Sequence, residues 1–290
     1  MPYRHYGNIG DVWKHLPLCE TLAIEQPTVY VETNAAYAAY TLEGTARQQY
    51  GVGHTYAHAS RSSVVDDSRY LQLLRSVNDD ATMPQTYLGS PALALRILGR
   101  SCERYVFFDL EAPALANDIA YAGALDLNGN VETLLGDSIA GTLRLLPQLS
   151  RDAFLHIDPY LVFDPNRTGQ TFFDVFLAAA GRGLRCMLWY GYFTGNERTL
   201  LAARMQAAVV GIPDIDGAQI YGVDIAMAAM QPDSVVANPG VVGCGVLTAN
   251  LSQASREAIA ALGRGLVTVY KEGVTFEGRP GQLQMSEVTF

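Results

Sequence analysis

The sequence predicts an α/β fold: an open, mostly parallel sheet with helices on both faces. Three observations point there. Short, β-rich apolar runs alternate with stretches of helical period along most of the chain, the pattern of repeated βα units. The 290 residues, 49% hydrophobic and 17% charged, suffice for one large α/β domain with a sizeable core. Several apolar runs end on an acidic residue, and an open parallel sheet binds its ligands beyond those ends.

The pattern places strands at 28–33, 104–110, 131–135, 153–158 and 186–192, and two further strands at 219–227 and 241–250. Helices are expected at 11–25, 91–99, 113–124, 139–146, 170–180, 197–210 and 252–262, the second opened by Gly89-Ser90-Pro91. Between 41 and 87 the pattern weakens, and the run SRSSVVDDSRYLQLLRSVNDD suggests one helix started by its Asp/Ser cluster. This stretch reads as a small helical insertion, or subdomain, within a single domain spanning 1–290. The tail from 265 to 290 reads as short strands joined by the turn GRPGQ.

Composition narrows the function. Net charge is -9, with a pI near 5.0. The chain has no Lys/Arg-rich run, and Lys14 and Lys271 are its lysines. Phosphate neutralisation supplies much of the affinity of nucleic-acid binders, so this balance weighs against a nucleic-acid substrate. The start MPYRHYGNIGDVWKH has no signal-peptide core and no apolar run reaches spanning length, so a cytoplasmic protein without membrane attachment is expected. Cys19, Cys102, Cys186 and Cys244 are scattered in apolar stretches and read as core residues. No metal is implied: His54 and His58 lack a third ligand. His156 alternates with Asp158 on one side of its strand and reads as a satisfied core histidine.

The residues just after each strand describe a nucleoside site. The first strand ends on Glu32-Thr33-Asn34-Ala35-Ala36, the second on Asp109, the third on Gly136-Asp137 and the fourth on Asp158-Pro159-Tyr160. An acid after the second strand can accept both hydroxyls of a ribose, and one after the third can reach an adenine amino group. Small residues after the first strand let backbone approach a ligand closely.

Five βα units followed by two closely spaced strands fit the seven-stranded sheet of class I methyltransferases, whose last pair forms a hairpin. Tyr3-Arg4-His5 with Gly7-Asn8, then Asp11-Val12 and Lys14-His15, resembles the N-terminus of the RlmJ-type 23S rRNA adenine-N6 methyltransferase family. In the same order follow YVETNAAYAAY at 30–40, GSP at 89–91, DPY at 158–160 in place of D-P-P-Y, and LWY at 188–190. The resemblance implies a Rossmann-like fold binding S-adenosylmethionine (SAM). His5 and Lys14 would help hold its amino-acid end, Glu32, Asn34 and Ala36 would pass beneath the methionine part, Asp109 would hold the ribose and Asp137 the adenine, with Tyr3 and Asp158 as further cofactor contacts.

Two departures bear on the substrate. Ala36 and Ala38 stand where the family has glycines, and one proline of D-P-P-Y is missing, which rotates the aromatic that would stack on a flipped base. The expectation is therefore a SAM-utilising enzyme turned to small-molecule chemistry, with Asp158, Tyr160, His5 and Lys14 as candidate catalytic residues. Both methylation of a small acceptor and intramolecular cyclisation of SAM, to 1-aminocyclopropane-1-carboxylate or an azetidine plus methylthioadenosine, stay open. The alternatives are adenine-N6 methylation of RNA or DNA, and an inactive SAM-binding module.

Overall fold

A computed structural model describes residues 5–78, 83–210, 220–228, 242–271, 273–276 and 279–289. Its centre is an eight-stranded sheet: β1 Val29–Glu32, β2 Arg104–Asp109, β3 Val131–Leu135, β4 Phe154–Ile157, β5 Arg185–Tyr192, β6 Ile220–Met227, β7 Gly243–Ala249 and β8 Leu283–Thr289. The spatial order is β3-β2-β1-β4-β5-β7-β6-β8. Strands β1 to β5 are mutually parallel. β7 runs antiparallel to both β5 and β6.

The helices are α1 Ile9–Glu25, α2 Ser90–Leu98, α3 Ala112–Ala124, α4 Ser138–Leu145, α5 Phe172–Gly181, α6 Gly195–Val210 and α7 Gln253–Val269. Alternation along the strands divides the core in two. Tyr30, Phe107, Phe154, Val223 and Val246 pack with α1, α2, α3 and α7 on one face. Val31, Val106, Phe108, Leu155, Ile157 and Leu188 pack with α4, α5 and α6 on the other. Burial on both faces is why these strands read as continuous apolar runs.

Two expectations need correction. The sheet has eight strands, because β8 adds to β6 in antiparallel register along its whole length. The last helix does not stop at 262 but runs to Val269. Its Gly263 and Gly265 are sites of close approach: a Cβ there would lie 2.8 Å from Met285 Sδ and 2.7 Å from Ser62 Oγ.

The segment 41–87 holds several short helices rather than one, and its neck is closed by the antiparallel pair Ala39–Thr41 and Thr86–Leu88. Its Val52, Val65, Tyr70, Leu71 and Leu74 are fully buried in the same core as α1 and α7. Tyr50 hydroxyl donates to Gly281 carbonyl at 2.7 Å, tying the segment to the C-terminal tail.

Candidate active site

From β1 the chain builds outward through β2 and β3; from β4 it builds the opposite way. The divergence opens a crevice between the carboxyl ends of β1 and β4, where such sheets place their ligands. Two bonds fix this point: Thr33 N–H donates to His156 carbonyl at 3.1 Å, and Asp158 N–H donates to Thr33 Oγ1 at 3.4 Å.

Behind it lies a buried polar knot. Glu32 is fully buried, and its carboxylate accepts from Ser90 Oγ at 2.5 Å, Tyr30 hydroxyl at 3.0 Å and His156 Nδ1 at 3.1 Å. Three donors satisfy a charge that burial would otherwise penalise heavily. Glu32 thus points into the core between β1, β4 and α2, and His156 is its partner.

The turn after β1 is rigidly held. Ala36 adopts φ +56°, the left-handed region, where a glycine would sit without strain. Its N–H donates to Asp109 Oδ2 at 2.8 Å, while Asp109 Oδ1 accepts from Glu111 N–H at 2.7 Å. Ala38 N–H donates to Asn117 Oδ1 at 3.0 Å, and Gly89 N–H donates to Ala38 carbonyl at 2.8 Å. Close approach is paid for at Gly89, where a Cβ would meet Tyr37 carbonyl oxygen at 2.2 Å.

A cleft of about 1240 Å³ opens on the α4 side of this turn, and Asn34, Asp109, Asp137 and Tyr160 all line it. Asp137 caps α4, accepting from Ala140 N–H at 3.1 Å, and also accepts from Asn166 Nδ2 at 3.0 Å. Three large side chains project around the mouth with little cover: Leu110 at 74% exposure, Leu135 at 63% and Tyr160 at 73%.

On the opposite side of the sheet end, α1 brings a lysine to β4. Asn8 caps this helix in a capping box with Asp11. Lys14 Nζ donates to Asp158 Oδ2 at 2.6 Å and lies 3.1 Å from Asp11 Oδ1. Its ammonium sits 5.8 Å from the centre of the Trp189 ring. Burial alone would lower the Lys14 pKa, but Asp158 and then Asp11 reverse this and hold it well above the ordinary lysine value. Burial likewise raises the Asp11 carboxyl, which Lys14 pulls back and Asp158 pushes further up.

The expected residues therefore fall into separate groups. Asn34, Asp109, Asp137 and Tyr160 share the cleft, Lys14 and Asp158 are directly paired, and Glu32 sits in the knot. His5 is exposed and its Nδ1 lies 2.9 Å from Arg47 Nη1. Tyr3 falls outside the described residues. Sequence reasoning singled out neither Ser90, nor Asp11 as a partner of Lys14, nor Asp118. The last is fully buried on α3, and neither of its carboxylate oxygens has a hydrogen-bond partner among the described residues. Ser90 lay inside a quoted motif and was the accessible clue.

Across its first seven strands the sheet order, with the seventh strand inserted antiparallel between the fifth and sixth, matches the expected pattern. The fold is that of a class I methyltransferase. No family model matches the chain, and no curated protein does. Among solved structures, protein LPL1258 of Legionella pneumophila, assigned to DUF519, superposes with a TM-score of 0.72 at 17% identity, over 98% of each chain. A putative rRNA methylase from Clostridium thermocellum covers 80% of this chain and 94% of its own at 9% identity and a TM-score of 0.38. A methyltransferase from Geobacter sulfurreducens covers 81% and 76% at 13% identity and 0.35. The first likeness supports the fold; the other two are too distant to argue from. Among the described residues, no helix is long and apolar enough to cross a membrane, and no group of three or more His, Cys, Asp or Glu could hold a metal ion.

Proposed function

We propose that this chain is a SAM-dependent methyltransferase acting on a small molecule that presents an amine or hydroxyl to Asp158. The observation that carries the reading is the Asp158 carboxylate at the switch point: one oxygen is fixed by Lys14, and Oδ1 has no hydrogen-bond partner among the described residues. Such an oxygen can accept the acceptor's proton or orient its lone pair.

The residues present fit the cofactor. The adenosine part belongs in the cleft, with Leu110 and Leu135 as apolar plates for a base, Asp137 at its edge and Asp109 beneath the ribose. Bound there, SAM would supply an electrophilic methyl group. The chain's own work is to align the acceptor with Asp158 and to cover it with the Tyr160 ring.

The pairing of Lys14 supports methyl transfer over closure of SAM to a cyclopropane. Closure to 1-aminocyclopropane-1-carboxylate needs a base at the α-carbon, and Lys14, one candidate for it, is held as an ammonium between two carboxylates. A small acceptor is favoured over nucleic acid because Asp109, Glu132, Asp137 and Asp164 outnumber Arg104, Arg144 and Arg167 along the cleft. Of these, Arg104 is spent on Glu132 at 2.6 Å. That lining does not make a phosphate-tracking groove.

The test is incubation with SAM, alone and with pools of small amines, phenols and RNA, read by mass spectrometry. Enzyme-dependent S-adenosylhomocysteine with a small acceptor, lost in Asp158→Ala, is expected. Methylthioadenosine from SAM alone would establish the cyclisation chemistry instead, and methylated RNA the adenine-N6 reading.

A further inference from the structure

The helical insertion and the C-terminal tail meet at a second cleft, of about 430 Å³, which shares no residue with the larger one. His54, His58 and Arg61 follow one another at i, i+4 and i+7 along the helix His54–His58 and the turn Ala59–Arg61. That spacing puts them on one face, and all three line the cleft. The centres of the two imidazole rings lie 4.4 Å apart. His54 Nε2 and Arg61 Nη1 both donate to the carbonyl of Val269, the last residue of α7, at 3.2 and 3.1 Å. A carbonyl only accepts, so this His54 nitrogen carries the proton. The rest of the Arg61 fork and both nitrogens of His58 are left over. No Asp or Glu lines the cleft, and neither Arg61 nor His58 has a carboxylate partner among the described residues. In a chain of net charge -9 this is a local concentration of cationic groups. Its crowding is felt at His54, whose pKa is lowered by burial first and then by His58 and Arg61, against the raising effect of the Val269 carbonyl.

We propose that this cleft binds a small phosphate monoester, its phosphate held by Arg61 and His58 and its organic body resting on Tyr50 and Phe276. The inference is independent of the SAM reading. A carboxylate or thiolate beside the two histidines would complete a metal site; Arg61 in that place repels a metal ion and attracts an anion. A guanidinium and two imidazoles together match the charge and the three acceptor oxygens of a phosphate dianion, more than one carboxylate would use. Thr275 brings a further hydroxyl to the cleft from the tail. The rings of Tyr50 and Phe276 are buried with centres 5.0 Å apart, and both line the cleft, so the ligand's body meets an aromatic floor. The volume falls within the range of small-molecule pockets, roughly 300–1,000 Å³. Bound there, the ligand bridges His58 of the insertion and Thr275 of the tail, two segments that the Tyr50 to Gly281 hydrogen bond already joins. Its occupancy therefore clamps the insertion to the tail.

Calorimetric titration of the full chain with phenyl phosphate, inorganic phosphate and benzoate tests the site, with thermal melts in parallel. Phenyl phosphate should bind most tightly and raise the melting temperature, and S-adenosylhomocysteine should not displace it. Arg61→Gln and His58→Gln should each weaken it roughly tenfold, the effect of losing one hydrogen bond to a charged group. Arg61→Lys should recover part of that loss, and melts without ligand establish that each variant folds. The proposal is overturned if phenyl phosphate fails to bind at millimolar concentration, or if both glutamine variants bind it like the wild type. Displacement by S-adenosylhomocysteine would overturn it too, by placing the anion in the larger cleft. Benzoate or inorganic phosphate binding as tightly as phenyl phosphate would remove, respectively, the phosphate or the aromatic body from the recognition. A band shift with folded RNA that Arg61→Gln abolishes would make these cations a contact for a nucleic-acid backbone instead.

Discussion

Asp118 is a fully buried carboxyl on α3. Burial first, then the neighbouring Glu32 and Asp109, push its carboxyl up to about 9, so it is protonated at neutral pH. The folded value lies above the unfolded one, so between roughly pH 4 and 9 the unfolded chain has released a proton that the folded chain keeps. Stability from this group is present at low pH and falls as pH rises through that window. Asp118→Asn removes the dependence: its urea midpoint relative to wild type should climb steadily from pH 5 to pH 9. A difference that is flat with pH would contradict the assignment. Gly89 offers a second residue-scale test. With Tyr37 carbonyl oxygen 2.2 Å from a built Cβ, Gly89→Ala must displace the turn after β1. A loss of roughly 2–4 kcal/mol is expected in denaturant unfolding, together with lost SAM binding. Gly123→Ala on α3 meets nothing within 4 Å and should be stabilising by about 0.5–1 kcal/mol.

At the scale of elements, what the sequence made legible is what local pattern controls. Strands β1 to β7 and helices α1 to α6 follow from apolar runs and helical period, and their boundaries shift by only a residue or two. The misreadings are tertiary. Gly263 and Gly265 look like breakers in α7, but they let Met285, Val223, Ser62 and Val65 approach a continuous helix. LQMSEVT, within the tail expected to form short strands, joined the main sheet because β6 offered an open antiparallel edge, and nothing local to 283–289 announces that partner. In the site, the acids after β2, β3 and β4 were visible because their position is set by the strand that precedes them. Asp11 has a sufficient local reason as a first-turn carboxylate in the helix cap, and its pair with Lys14 is the i, i+3 spacing of α1; only the meeting of Lys14 with Asp158 depends on how α1 crosses β4. Truncation after Gln282 tests the role of β8. It should expose the β6 edge, lower the melting temperature and promote concentration-dependent aggregation, whereas an unchanged melt would make β8 dispensable.

For the whole molecule, one sheet end organises two environments. The cleft on the α4 side is roomy, lined by acids and rimmed with apolar plates, while the α1 side is tight and charged. At long range, a chain of net charge -9 attracts cations and repels polyanions. SAM affinity should therefore weaken as salt rises from 50 to 300 mM, and a band shift with folded RNA should appear at neither. The most direct test of the site is a crystal structure with S-adenosylhomocysteine. The account predicts the adenine between Leu110 and Leu135 with its amino group toward Asp137, and the ligand's sulfur facing Asp158, where the acceptor is to sit. Ligand density elsewhere on the protein, or a sulfur turned away from Asp158, would contradict it.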